Sequence, residues 1–275
     1  MRFVTRILLA LAVSALGASF ALSAQATTLK ITVTNNQAAG GLSITPLYTA
    51  IHDGNFDAFD LGGTASAGLE LIAETGMQSG IAGERLAIDA DSQGLVLASP
   101  SGPPPVQPGE AVSRNITVNA AEALYFTFLS MVLPSNDHFI GNDNPFAYQL
   151  FDAACNFTGA RTINVTGADI YDAGTEANGL TGAAFIQGVN IADSPTGEGS
   201  IQQGLPLSSD LFGPGVVLAT GDTLSASLID FTSNPGAFNL LTIEISEVPL
   251  PASAPLLLGA LGLMGWAKRH RKTLS

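Results

Sequence analysis

The alternation of apolar and polar residues predicts β-strands along most of the chain. Residues 28–34 alternate strictly, as a strand with one buried face does. Residues 124–133 are almost continuously apolar, which is typical of a central strand buried on both faces. The other predicted strands are short and are separated by Gly, Asn, Asp and Pro; they cover residues 113–119, 146–151, 163–165, 168–171, 216–219, 224–231 and 238–246.

One helix stands out among these strands. In residues 65–75 the apolar side chains of Leu69, Ile72 and Ala73 recur at helical spacing, and Gly76 follows as a stop signal. Five prolines in residues 99–108 predict a loop. Many short strands, frequent turns and one helix predict a mostly β fold, an antiparallel β-sandwich with a small α-helical insertion.

The amino-terminal segment, residues 1–26, has the pattern of a secretory signal peptide. Two arginines precede an apolar run that ends near residue 22, and the small residues Ala-Gln-Ala follow at 24–26. A basic start, a short hydrophobic run and a small-residue exit predict cleavage after Ala26 and export from the cytoplasm. The one cysteine, Cys155, is then an unpaired thiol that we expect to be buried.

The carboxyl-terminal segment, residues 248–275, has three parts. It contains the motif Val-Pro-Leu-Pro-Ala, an apolar run at 255–267 and a basic tail. Thirteen helical residues span about 20 Å, which is short for a bilayer core of about 30 Å. The segment resembles the VPLPA-type exosortase sorting signals of Gram-negative bacteria. That resemblance implies transient membrane contact, cutting by an exosortase-type protease and delivery to the cell surface or matrix; the alternative is a simple tail anchor.

The remaining part, residues 27–247, has the size of one domain. Six of the ten basic residues lie in the two ends of the chain, whereas all 23 acidic residues lie within 27–267, which gives that interval a net charge of −19. Such a polyanion repels phosphate backbones, so nucleic-acid binding is excluded. A single cysteine excludes a disulfide framework and a thiolate zinc cluster.

Acidic and amide residues cluster at the ends of predicted strands. The clusters are residues 136–137, residues 142–144, and Asp169, Asp172 and Glu176. If 146–151 returns antiparallel, strands 124–133 and 168–171 run in the same direction and bring Asp137 and Asp172 to one end of the sandwich. Loops of this composition suit Ca²⁺, which takes six to eight oxygen ligands. Ordinary turn chemistry explains the same residues without an ion.

The catalytic alternatives rest on two histidines. Only His52 and His138 are available as bases in the exported region, and no G-x-S-x-G, H-E-x-x-H or P-loop motif occurs. A secreted hydrolase would need one of them beside a Ser or Asp in a concave pocket. A carbohydrate-binding module acting on exopolysaccharide is a third interpretation, although such modules use exposed aromatic platforms and this region has few Tyr and no Trp.

Five motifs resemble the spondin-N domain family. They lie at residues 49–59, 65–69, 73–76, 134–141 and 171–175, in the family's order, and the resemblance extends over about 28–247. It implies a C2-like β-sandwich that binds one calcium ion, of the kind found in extracellular matrix and adhesion proteins. It also includes His52 and Phe56, which we expect to pack helix 65–75 against the sheet.

The resemblance implies calcium ligands at two positions of this chain, Asp137 and Asp172. The family's third ligand is an acid on the preceding strand, but residues 115–119 contain no carboxylate. Asn119 is the candidate there, and its neutral amide oxygen predicts a weaker site. The expected function is a secreted, non-enzymatic, calcium-binding adhesion or matrix module whose partner is an extracellular protein or a matrix polysaccharide.

Overall fold

Two antiparallel β-sheets form the framework of the computed structural model, which describes residues 26–99, 105–193, 197, 199–213 and 215–249. The strands are β1 (Ala26–Asn35), β2 (Ser43–Ile44), β3 (Leu47–His52), β4 (Gln93–Leu97), β5 (Ala111–Asn119), β6 (Tyr125–Leu133), β7 (His138–Gly141), β8 (Arg161–Thr166), β9 (Ile170–Asp172), β10 (Gln202–Gln203) and β11 (Asn239–Glu247). One sheet has the order β5-β1-β11-β8. The other has the order β10-β9-β7-β6-β3-β4, with β2 also paired to β6.

The predicted mostly β class and the antiparallel sandwich are confirmed. In the part of the chain that the structure describes, three α-helices accompany the sheets: α1 (Ala67–Thr75), α2 (Ser79–Ile88) and α3 (Ala226–Ile229). The predicted signal peptide and most of the predicted sorting signal lie outside the described residues. No helix within the described residues is long and apolar enough to cross a bilayer.

The main core lies between the two sheets. From β1, Leu29, Ile31 and Val33 face inward with 0% exposure, as the alternation predicts. From β6, Phe126 and Phe128 belong to the same buried cluster. Burial of these rings and branched side chains is the dominant favourable contribution to folding.

A second core lies on the opposite face of β6, beneath the helices. Leu129 of β6 packs there with Phe56 and with Leu69 and Ile72 of α1. Because β6 is buried on both faces, its continuous apolar run fits its central position. The ring of His52 is 5.8 Å from that of Phe56, and both are buried. Phe56 packs against α1 as expected, whereas the ring nitrogens of His52 contact the Thr127 hydroxyl and the Gly54 amide.

The boundaries of α1 follow from local chemistry. The side chain of Ser66 accepts a hydrogen bond from the Leu69 amide, which caps the amino end. Gly76 adopts φ +71° and its amide donates to the Ile72 carbonyl, which ends the helix. The prediction of a helix at 65–75 with Gly76 as its stop is confirmed.

Three predicted strands are wrong. Residues 146–151 and 216–219 make only isolated bridges, which are Tyr125–Gln149, Phe151–Phe157 and Ile186–Leu218. Residues 224–231 contain the short helix α3 instead of a strand. Each segment is apolar enough for a strand, but its pairing with a neighbour does not go beyond isolated bridges, and a β-strand is stabilised by a continuous ladder of cross-strand pairs.

The strand that returns from β6 is β7, which sequence patterning does not reveal because it has only four residues. β6 pairs antiparallel with β7, and β7 pairs antiparallel with β9. β6 and β9 therefore run in the same direction, as expected, but through β7 and not through 146–151. Asp137 immediately precedes β7 and Asp172 ends β9, so the topology brings both acids to one end of the sheet.

Candidate metal centre

The pairing register of β7 and β9 assembles a buried group of three side chains. His138 lies directly opposite Asp172 in this ladder, and Asp137 precedes His138 in the chain. One ligand atom from each of the three residues lies within 4.8 Å of the other two. All three residues have 0% exposure. Two acids that are 35 positions apart in the sequence therefore meet in the interior.

The loop before β7 is shaped by its own side chains. The Ser135 hydroxyl donates to the Val132 carbonyl at 2.6 Å and accepts from the His138 amide at 3.1 Å. The Asn136 side chain donates to the Ala177 carbonyl at 2.7 Å. These bonds hold the turn against the loop that follows β9 and direct Asp137 into the interior.

The carboxylate of Asp137 is satisfied on one side only. Its Oδ2 accepts from the backbone amides of Thr175 and Glu176, each at 3.0 Å. Its Oδ1 is buried and has no hydrogen-bond partner among the described residues. A buried acceptor without a donor is costly unless a ligand completes it.

The carboxylate of Asp172 has partners on both oxygens. Oδ1 accepts from the Gly174 amide at 2.8 Å, and Oδ2 accepts from the Asn178 side chain at 2.7 Å. Gly174 has φ +68°, a backbone conformation that favours glycine. The tight turn that it allows carries Thr175 and Glu176 back to Asp137.

The imidazole of His138 lies between the two carboxylates. Its Nδ1 is 4.0 Å from Oδ1 of Asp137, and its Nε2 is 3.8 Å from Oδ2 of Asp172. Nε2 also lies 3.2 Å from the carbonyl oxygen of Leu205. The ring is thus held by a backbone acceptor on one side and faces Asp137 on the other.

Burial and negative charge dominate the electrostatics of the centre. Desolvation, helped by the negative charges of Asp172 and Glu176, raises the pKa of Asp137 to about 7, against the lowering effect of the two backbone amides. Within the described part of the chain, no lysine or arginine forms an ion pair with Asp137 or Asp172. A divalent cation would relieve this repulsion directly.

The residues fit a cation in the kind of ligand that they provide. The orphaned Oδ1 of Asp137 and the nearby carboxylate of Asp172 are oxygen ligands of the type that hard cations take. Glu176, with 8% exposure, adds a third carboxylate near Asp137, as its effect on the pKa of that group shows. The sequence prediction places Asp137 and Asp172 in one site, and the structure brings them together.

Asn119 lies elsewhere, which corrects the third predicted ligand. It ends β5, its side-chain oxygen accepts from the Ala121 amide at 3.2 Å, and its carbonyl accepts from the Ala123 amide near the start of β6. Asp137 follows the other end of β6, and nine strand residues span about 26 Å. Strand β6 therefore separates the amide from the acids.

Two other acids of the predicted clusters bond to backbone amides, one within a turn, as the alternative interpretation expects, and one in a long-range contact. Asp169 accepts from the Thr166 amide at 2.7 Å in a capping box, and Asp143 accepts from the Leu61 amide at 2.7 Å. His138 is the member of the group that sequence reasoning assigned to structure or catalysis. The sequence signal that could have placed His138 in the group is its position next to Asp137 in the motif at 134–141.

The hydrolase alternative needs a histidine in an open pocket. His52 and His138 both have 0% exposure, and neither lines the mostly apolar cavity of about 500 Å³ whose walls include Met131 and Phe185.

Comparison with known proteins agrees with the motifs. The model of the family described as Spondin_N matches residues 38–189, more than half of the chain and a shorter stretch than the 28–247 of the motif resemblance. Residues Asp137, His138 and Asp172 lie inside the match. No curated protein matches the chain at a significant level. Domains of the matched family are extracellular and non-enzymatic. The chain therefore belongs to the Spondin_N family.

Proposed function

We propose that this domain is a secreted or surface-displayed, non-enzymatic module in which Asp137 and Asp172 hold one calcium ion. The observation that carries the proposal is the buried Oδ1 of Asp137, which lacks a hydrogen-bond partner among the described residues and faces a site of uncompensated negative charge. A bound divalent cation supplies positive charge there. The carboxylates bind the ion, and the Thr175 and Glu176 amides orient Asp137.

The role of the ion is to fix the loop after β9 against the loop before β7. Asp137 lies in the loop before β7 and Asp172 is the last residue of β9, so one ion between them adds a link to those already made by the bonds from Thr175, Glu176 and Asn136. A surface ordered in this way suits adhesion or matrix binding, and the partner is an extracellular protein or a matrix polysaccharide. Extracellular calcium modules bind with Kd values of about 10⁻⁴–10⁻³ M.

Calorimetric titration of the purified full chain with Ca²⁺ tests the site. We expect one ion per chain and a rise in Tm at millimolar Ca²⁺, both lost in the double variant Asp137→Asn, Asp172→Asn. Asp91→Asn is the matched control, because Asp91 is exposed and carries the same chemical change. Absence of heat and of any Tm change in the wild type would contradict the proposal.

We also propose that the two ends of the chain direct export and display. The support is the sequence alone: a signal peptide pattern at 1–26 and a VPLPA-type sorting signal at 248–275. Intact-mass measurement after expression in a Gram-negative bacterium with a matching exosortase-type protease tests this. A surface form that begins at Thr27 and lacks Trp266 is expected; a surface form that retains Trp266 would contradict processing.

A further inference from the structure

Arg85 of α2 is a buried cation whose hydrogen bonds all go to neutral groups. The residue is only 5% exposed. Its Nε donates to the Tyr48 hydroxyl at 2.8 Å, and its Nη1 donates to the carbonyl and hydroxyl oxygens of Ser92. Among the described residues, no carboxylate lies within 4.0 Å of the guanidinium. A buried charge without a counter-charge is costly, so this guanidinium is a candidate for binding an anion.

Asp89, which directly follows α2, does not supply the counter-charge. Its Oδ1 accepts from the backbone amides of Asp91 and Ser92 at 3.2 and 3.1 Å. Its Oδ2 accepts from the Asp53 amide at 3.1 Å. The carboxylate therefore holds the turn between α2 and β4 and the loop after β3, and it makes no ion pair with Arg85.

Two donors of this cluster lack an acceptor. Nη2 of Arg85 donates to none of the described residues. The Tyr48 hydroxyl accepts from Nε of Arg85, so its own proton points elsewhere, and it too has no acceptor among the described residues. Tyr48 is only 2% exposed. Donors in such surroundings are costly to leave without an acceptor, which a ligand with negatively charged oxygens would supply.

Gly94 of β4 leaves open space in front of both donors. A Cβ at this position would lie 3.1 Å from Nη2 of Arg85 and 3.4 Å from the Tyr48 hydroxyl oxygen. Gly94 is exposed, and β4 is the edge strand of its sheet, so this space opens to solvent. A glycine inside a strand weakens it and often marks a place where a ligand approaches the backbone closely.

We propose that Arg85 and Tyr48 form a binding site for a single carboxylate group beside Gly94. Nη2 donates a charge-assisted hydrogen bond to one carboxylate oxygen, and the Tyr48 hydroxyl donates to the other. The exported region carries far more acidic than basic residues and repels a polyanion, so the ligand bears one carboxylate and not a run of them. The site shares no residue with the calcium centre and does not depend on it.

Titration of the full chain with sodium acetate tests this site, with the NMR resonance of the Arg85 Nε–H group as the readout. We expect a saturable shift with acetate, and none with acetamide, its uncharged isostere, or with an equal addition of sodium chloride. Gly94→Ala fills the open space and requires its neighbours to move by only a few tenths of an ångström. It should therefore fold and should weaken acetate binding at least tenfold.

Gly83→Ala is the matched control, because a Cβ at this exposed position of α2 meets no atom within 4 Å and should leave the acetate affinity unchanged. Methyl glucuronoside and a capped peptide with one glutamate then show whether a uronic acid or an acidic side chain supplies the carboxylate. A shift that acetamide or chloride reproduces, an unmoved Arg85 resonance, or equal acetate affinity in Gly94→Ala overturns the inference. None of these results bears on Ca²⁺ binding, which is measured separately.

Discussion

His138 and Asp172 face each other across the ladder between β7 and β9, with Nε2 of the histidine 3.8 Å from Oδ2 of the acid. Their positions are set by backbone pairing of two strands, not by the loops alone. Side-chain substitutions at these positions therefore leave the framework of the centre in place. Isosteric substitutions in the centre can therefore measure how much each side chain contributes to the free energy of unfolding.

Replacement of Asp137 by Asn should change how the stability of the metal-free domain depends on pH. The folded carboxyl has a pKa raised to about 7, against about 3.9 in an unfolded chain. The folded state thus holds a proton that the unfolded state releases, and stability is lost as the pH rises from about 4 to 7, by roughly 4 kcal/mol at most. Asp137→Asn removes this loss, because the amide is never charged.

Chemical denaturation with EDTA at pH 4.5 and at pH 8 measures this effect. The variant should exceed the wild type in free energy of unfolding at pH 8 and match it more closely at pH 4.5. Added Ca²⁺ should raise the stability of the wild type only. Equal stability of the two proteins at pH 8 in EDTA would show that the charged carboxylate of Asp137 does not destabilise the folded state.

The sequence indicates much of this centre because its acids lie in a local motif. Asp137 and Asp172 each follow or end a recognisable strand, and Asp/Asn-rich loops at strand ends are visible without a structure. The contribution of His138 depends on which residue of a four-residue strand lies opposite Asp172. The register between such short strands is set by tertiary packing, so it cannot be predicted from the spacing of residues along the chain.

The contrast between local sequence patterns and tertiary packing also explains which helices and strands can be predicted. β1 exposes one face, and its alternation identifies it. β3 is buried at all six positions. It therefore lacks the alternation of apolar and polar residues that would predict a strand. α2 buries only Ile81 and Arg85, and two glycines weaken its helical pattern. Such elements are stabilised by tertiary contacts, which the local sequence pattern does not show.

His52 should make the domain less stable in acid. Burial, helped by the positive charge of Arg85, lowers the pKa of its imidazole to about 4, although Asp89 and Asp53 oppose the shift. The unfolded chain binds the proton near pH 6.5 and the folded chain only near pH 4. Stability is therefore lost as the pH falls through this interval, by up to about 3 kcal/mol.

The hydrogen bonds of His52 suggest the variant for this test. Nδ1 accepts from the Gly54 amide at 3.1 Å, and Nε2 is 3.0 Å from the Thr127 hydroxyl. His52→Asn keeps an acceptor for Gly54 but does not titrate. Both forms should be compared in the Asp137→Asn background, which removes the opposite slope of Asp137. A stability difference between them that does not vary from pH 4.5 to pH 8 would contradict the assignment.

Gly174→Ala should destabilise the domain and weaken cation binding together. Gly174 has φ +68°, and a Cβ there would overlap the backbone of Ser200. We expect a loss of about 2–4 kcal/mol, with displacement of the turn that carries the Thr175 and Glu176 amides to Asp137. Urea denaturation and Ca²⁺ titration measure the two effects.

Gly179→Ala is the control for this substitution. A Cβ at Gly179 meets its nearest atoms at 3.9 Å, an ordinary contact, and the residue lies in the same segment of the chain. Its stability should stay within about 0.5 kcal/mol of the wild type. A similar loss in both variants would mean that the segment is sensitive to any added methyl group and would remove the special role of Gly174.

Glu84 of α2 caps the start of α1, and its replacement should loosen the helical layer. Oε1 accepts from the Gly68 amide at 2.7 Å, and Oε2 accepts from the Ser66 hydroxyl at 2.7 Å. The negative charge also lies at the amino end of α1, where the helix dipole favours it. Glu84→Ala leaves a buried amide without an acceptor and should cost about 1–3 kcal/mol in free energy of unfolding.

Two further variants separate the hydrogen bonds from the charge. Glu84→Gln retains an acceptor for Gly68 and should lose less than half as much as Glu84→Ala. Glu70→Ala removes an exposed acid from the first turn of α1 and should change stability by about 0.5 kcal/mol or less. Because the bonds of Glu84 are made to the start of α1 and not to the loops around Asp137, Ca²⁺ affinity should not change in any of the three. Equal losses in Glu84→Ala and Glu70→Ala would indicate that general charge at the helix terminus, and not the cap from α2, stabilises this layer.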